Sequence, residues 1–130
     1  KKPLVNVCLW ALTAKTQEEA KYLFASRAAW KIGRNFGHLG PITDPDNALN
    51  IIHDNSWEDE YELMFSNSIV GEVDFTKNKI KKLVKENNID EIAILSWCHS
   101  ETARVKSYEL FADAFSLNSN KRLQKNLSLN

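Results

Sequence analysis

Cysteine is scarce: two in 130 residues, Cys8 and Cys98, far apart in the chain. That spacing writes in neither a disulfide framework nor a paired-cysteine metal site, and three histidines, His38, His53 and His99, share no helix face that would make one. Both cysteines fall on predicted strands and read as small buried apolar residues of a reducing compartment, with a mutual disulfide as the rival reading. A charge excess is missing as well. Seventeen basic and seventeen acidic side chains cancel, so no global field draws the chain to nucleic acid or anionic lipid, and a small molecule or another protein is the expected partner. No apolar run approaches the ~20 residues of a membrane helix, and the start lacks the charged-then-apolar layout of a signal peptide. The reading is a cytoplasmic protein. Its opening, Lys1-Lys2-Pro3, has no Met and fits a piece of something longer. Absent too are a Gly-x-Ser-x-Gly elbow and a phosphate loop: Gly33, Gly37 and Gly40 follow a helix, not a strand, and read as helix termination.

What is present is a 43% hydrophobic composition, enough for the core of one domain. Leu4 to Thr13 is an apolar run with β-branched and aromatic content, expected to be a strand buried on both faces. Thr16 and Glu19 then form a capping box, and Ala20, Phe24, Ala28 and Ile32, four apart, give the following helix a core face, with Arg27, Lys31 and Arg34 elsewhere on the cylinder. Gly37 to Pro45 reads as an ordered loop. Asp44-Pro45 caps a short helix through Ala48 and Ile52, and Glu58-Asp59-Glu60 starts another carrying Tyr61, Met64 and Phe65. Ser68 to Trp97 reads as a βαβ unit: a short strand to Gly71, a helix capped by Asp74 and stopped at Asn87-Asn88, and an apolar parallel strand from Glu91. A last helix begins near Ser100 and presents Val105, Tyr108, Phe111 and Phe115 at spacings of three and four. Residues 117–130 read as a polar, flexible tail, in which Asn126-Leu127-Ser128 is a chance glycosylation match.

In parallel α/β folds ligands sit beyond the carboxyl ends of the strands, here Thr13 to Lys15, Gly71 to Val73 and Ser96 to Ser100. Ser96, Trp97, Cys98 and His99 offer a hydroxyl, a stacking surface, a thiol and an imidazole. The bland alternative for His99 is a residue that merely precedes a helix cap, and for the four tryptophans, Trp10, Trp30, Trp57 and Trp97, a place in the core.

Several of these pieces, in this order, resemble the C-terminal third of the bacterial luciferase-like, alkanal monooxygenase-like flavin-dependent monooxygenases. They are Val7 to Ala14 with Thr16-Gln17-Glu18-Glu19-Ala20; Gly37-His38-Leu39-Gly40-Pro41; Ile69-Val70-Gly71-Glu72 leading to Asn88-Ile89-Asp90-Glu91-Ile92; and Ala103-Arg104-Val105-Lys106-Ser107-Tyr108-Glu109-Leu110. The resemblance covers all but the tail and implies an α/β fold, a partial (β/α)8 TIM barrel made of its last three β/α units with parallel strands, over residues 1–116. It further implies reduced flavin mononucleotide (FMN), or a deazaflavin, at the carboxyl end of the strands, with molecular oxygen oxidising a small organic substrate such as an aldehyde. The family's catalytic region lies in strands for which these residues have no match, so no catalytic residue is carried over. Trp10, Ser96, Trp97 and His99 are the expected pocket-lining residues. A full barrel takes about 250 residues, so the open sheet is expected to meet either the remaining barrel portion or a second copy in a homodimer. Three functions follow: the C-terminal portion of a flavin monooxygenase, a non-catalytic remnant or accessory subunit of that family, and an unrelated α/β binding module.

Overall fold

Strand-forming sequence at three places and helix-forming sequence at five build a mixed α/β unit. The computed structural model describes residues 2–117; the predicted tail, Leu117 apart, lies outside them. The elements run β1 (Asn6–Ala14), α1 (Gln17–Asn35), α2 (Pro45–Asp54), α3 (Glu58–Asn67), β2 (Ile69–Glu72), α4 (Val73–Asn87), β3 (Glu91–Leu95) and α5 (Glu101–Ala114).

Local chemistry starts and stops most of these helices. Thr16 Oγ1 accepts from the Glu19 amide at 3.1 Å, Asp44 from Asn47 at 3.0 Å with Pro45 in the first turn, and Ser100 from Ala103 at 3.2 Å. Asn88 ends α4 in the left-handed conformation, as the Asn87-Asn88 pair predicted. Asp74 is not the cap expected of it. Helix α4 begins two residues earlier, after Glu72, with no side-chain cap, and Asp74 lies in its first turn, where its charge faces the helix dipole.

The three strands are parallel, in the order β2-β1-β3. The Ser68–Trp97 stretch is a βαβ unit as expected, and β1 lies between its two strands, pairing Ala11 to Ala14 with Ile69 to Glu72 and Asn6 to Trp10 with Glu91 to Leu95. The chain's central element is its first strand. At Gly71, beside β1, a side chain has no room, because a Cβ would collide with Gln17 and come 2.6 Å from Phe75 Cδ1.

Helices cover both faces of the sheet. On one, Leu12, Ala14 and Val70 meet Phe24, Ala25, Ala28, Ile32, Ile52 and Tyr61 of α1, α2 and α3. On the other, Leu9, Ala11, Ile92 and Ile94 meet Ile80, Phe111 and Phe115 of α4 and α5. The expectation of burial on both faces holds only for the carboxyl half of β1, where Ala11, Leu12, Thr13 and Ala14 are at most 4% exposed. The amino half and β3 are covered on one face alone. Leu95, Ala93 and Cys8 stand open on the other, so Cys8 is not the buried residue predicted, and the buried Cys98 sits in the loop after β3 rather than on a strand.

Candidate functional site at the carboxyl end of the sheet

Parallel pairing sets Trp10 of β1 directly beside Leu95 of β3. Helix α1 crosses this face and brings down Arg27, whose guanidinium carbon lies 4.0 Å from the centre of the Trp10 ring and 5.1 Å from that of Trp97, just past β3. Trp30, one turn further along α1, meets Trp97 edge-on at 5.1 Å. Among the described residues Arg27 belongs to none of the ion pairs, so the ring faces alone answer its charge. Burial lowers its pKa from the ordinary value, but a guanidinium stays protonated at any working pH. Beside it the indole N–H of Trp10 is buried without a partner among the described residues. The guanidinium itself is only half-buried, so of the two groups the Trp10 N–H alone is sealed without a partner, a state native structures rarely leave unanswered.

Of the four expected residues, Trp10 and Trp97 are brought together through Arg27. Ser96 and His99 point elsewhere. The Ser96 hydroxyl is buried, donating to Ala11 O at 2.7 Å and sharing a hydrogen with Ser107 Oγ at 3.0 Å. Its amide donates to Tyr108 Oη at 2.9 Å, and the Thr13 amide donates to Ser107 Oγ at 3.0 Å. This network ties α5 to the ends of β1 and β3, where ladder bonding between the strands has stopped. His99 is exposed and helps hold the Asp44 carboxyl below its usual range, after the larger effect of the hydrogen bonds from Asn47. The Cys98 thiol is pushed up by burial, against the opposing pull of Arg104 and of its contact with Ser100, so it is a poor nucleophile at neutral pH. Arg27 escaped the sequence reading because charged residues off an apolar helix face usually face water. The available signal was its position three residues before Trp30, below a strand carrying another tryptophan.

No family model matches the chain. It is 24% identical over 112 residues to a "Luciferase-like monooxygenase" of Escherichia coli K12, and equally to that of Escherichia coli O6:H1 (strain CFT073), matching 86% of this chain and 33% of each relative. The chain resembles the luciferase-like monooxygenases. It spans about a third of the length of the curated relatives it matches. The crystal structure of apo-MsnO8 superposes with a TM-score of 0.75 at 22% identity, over 89% of this chain and 36% of that one, a likeness of fold.

Likeness to luciferase-like monooxygenases raises the question of a flavin. The open face meets part of its requirements: indole surfaces suit a flat ring, and the half-buried Arg27 guanidinium suits an acceptor oxygen, while the Trp10 N–H is sealed from that face. Among the described residues no three His, Cys, Asp or Glu side chains are grouped to hold a metal ion, and no helix is long and apolar enough to cross a membrane.

Proposed function

We propose that this chain is the C-terminal portion of a flavin-dependent luciferase-like monooxygenase, residues 1–116 forming its C-terminal α/β segment. The observation that carries the reading is similarity to luciferase-like monooxygenases along 86% of the chain, joined to a parallel sheet with an open polar and aromatic site at its carboxyl end.

Trp10 and Trp97 would line the ring of the cofactor, FMN or a deazaflavin, and Arg27 would hold an oxygen at its rim, with Ser96 holding the loop from behind and His99 at its outer margin. When bound, the reduced flavin supplies the electrons that let molecular oxygen oxidise a small organic substrate, an aldehyde being the family's example. The protein's part is to bind, orient and exclude water, and the buried Ser96–Ser107 network serves orientation by fixing where Trp97 leaves β3. On this reading the protein works in the cytoplasm, and the open edges meet the remaining barrel portion or a second copy. A second reading, a non-catalytic accessory or dimerising subunit, is favoured by the same half-covered sheet, which lacks part of its enclosure.

Titrating oxidised and reduced FMN into the 130-residue chain, with flavin fluorescence as readout, separates the two. Quenching that saturates below about 1 mM, lost in Trp97→Ala, supports the flavin reading. No quenching in that range leaves the accessory role.

A further inference from the structure

A cavity of about 320 Å³ lies beside the last turns of α1, where residues 37–43 lead the chain back toward α2. We propose that it binds a neutral hydroxylated aromatic molecule of two fused rings, the rings against α1 and Trp57 and the hydroxyl among His38, Thr43 and Asn55.

The aromatic body is assigned by the walls. Ala29 and Gly33, four apart, give α1 a floor without bulk, and Trp30 and Trp57 supply indole surfaces. Both indoles are held in place. The Trp30 N–H donates to Gly40 O at 3.0 Å, and the buried Trp57 stacks on Phe36 with ring centroids 5.4 Å apart and planes 9° from parallel. Fixed ring surfaces in a pocket of this size receive a flat apolar ligand with little reordering.

Gly33 carries the assignment furthest. It is a helical residue without the positive φ of Gly37 and Gly71, at a position where alanine is the more stable choice. A Cβ there would meet His38 Cβ at 3.6 Å and Trp57 Cη2 at 3.7 Å, ordinary contact distances. Neither the backbone nor the packing requires glycine, so what its missing side chain provides is cavity volume.

The absence of charge and the polar groups present define the rest of the ligand. No Asp, Glu, Lys or Arg lines the cavity, so an ion would give up hydration there with no opposite charge to replace it. Asn55 Nδ2 donates to Ile51 O at 2.8 Å, which leaves its side-chain oxygen to accept, and the Thr43 hydroxyl both donates and accepts. A ligand hydroxyl, donor and acceptor at once, answers both. Of the lining residues only Trp30 also touches the aromatic group around Arg27, through Trp97, and the assignment stands whether or not flavin binds.

The test gives the 130-residue chain 2-naphthol, its saturated counterpart decahydro-2-naphthol and the anion 2-naphthoate, read by calorimetry and by the NMR signals of the indole N–H groups. 2-Naphthol is expected to bind with Kd below about 1 mM and at least about tenfold more tightly than either comparison ligand. The Trp30 and Trp57 signals move, and that of Trp10 stays. Gly33→Ala is expected to raise the urea midpoint while weakening 2-naphthol at least about fivefold, because the new methyl group occupies ligand volume. Leu39→Asp, at a lining position 84% exposed, leaves the urea midpoint unchanged and also weakens 2-naphthol at least about fivefold by setting a charge on the rim. Equal affinity for 2-naphthol and either comparison ligand overturns the proposal, as does a signal change confined to Trp10 or a folded Gly33→Ala that binds like the parent. Should that variant fail to fold, undiminished binding by Leu39→Asp does the same. Flavin binding is read separately from flavin emission, so the two readings fail independently.

Discussion

The two halves of β1 have similar composition and opposite surroundings. In the carboxyl half, Leu12 and Ala14 are sealed under α1 while Ala11 is sealed by α4 and α5. In the amino half Cys8 faces away from every helix, and across from it Ala93 and Leu95 do the same. An apolar strand is thus closed where α1 crosses it and open where α1 does not reach. Helix cover, not strand composition, decides which part of this strand is core and which is available to a ligand. Arg27 sits at the boundary.

The largest expected effect tests that contrast directly. Leu12→Ala removes a fully buried side chain and should cost about 2–5 kcal/mol in urea denaturation, whereas Leu95→Ala, across from the open half, should change stability by less than about 0.5 kcal/mol. Equal losses would mean that the open half is closed in solution.

Next comes the polar seam that keeps the closed half in place. Ser107→Ala leaves the Thr13 amide and the Ser96 hydroxyl short of a partner and should cost about 1–3 kcal/mol. Ser107→Thr, which keeps the hydroxyl, should recover part of it. A Ser107→Ala variant as stable as the parent would remove the seam from the account.

The smallest effect is a pH dependence within the closed core. Tyr61 Oη donates to Lys21 O at 2.7 Å, and burial, assisted by Glu62, pushes its pKa above the ordinary tyrosine value. With the folded pKa raised, the unfolded chain gives up this proton first. The contribution is therefore fully present below about pH 10 and is lost as pH climbs beyond it. Between pH 9 and 11 the urea midpoint of the parent should fall more steeply than that of Tyr61→Phe; parallel slopes would count against burial as the cause.

The sequence alone determined the local events. The Thr16–Glu19 box, Asp44-Pro45, Ser100 and the Asn88 stop are read within a turn of helix, because a cap needs only its own side chain and an amide three residues on. The core face of α1 was legible for the same reason, its four-residue period being local. Tertiary structure alone decided that β1 lies between β2 and β3, since no residue of β2 records which strand its free N–H and C=O groups will meet. It decided equally that Cys8 is open and Ala11 closed, that Ser96 turns into a buried network, and that Arg27 stands between two tryptophans from opposite ends of the chain. Those outcomes depend on where α1 crosses the sheet, and burial and charge compensation at a residue are set by neighbours that its own segment does not contain.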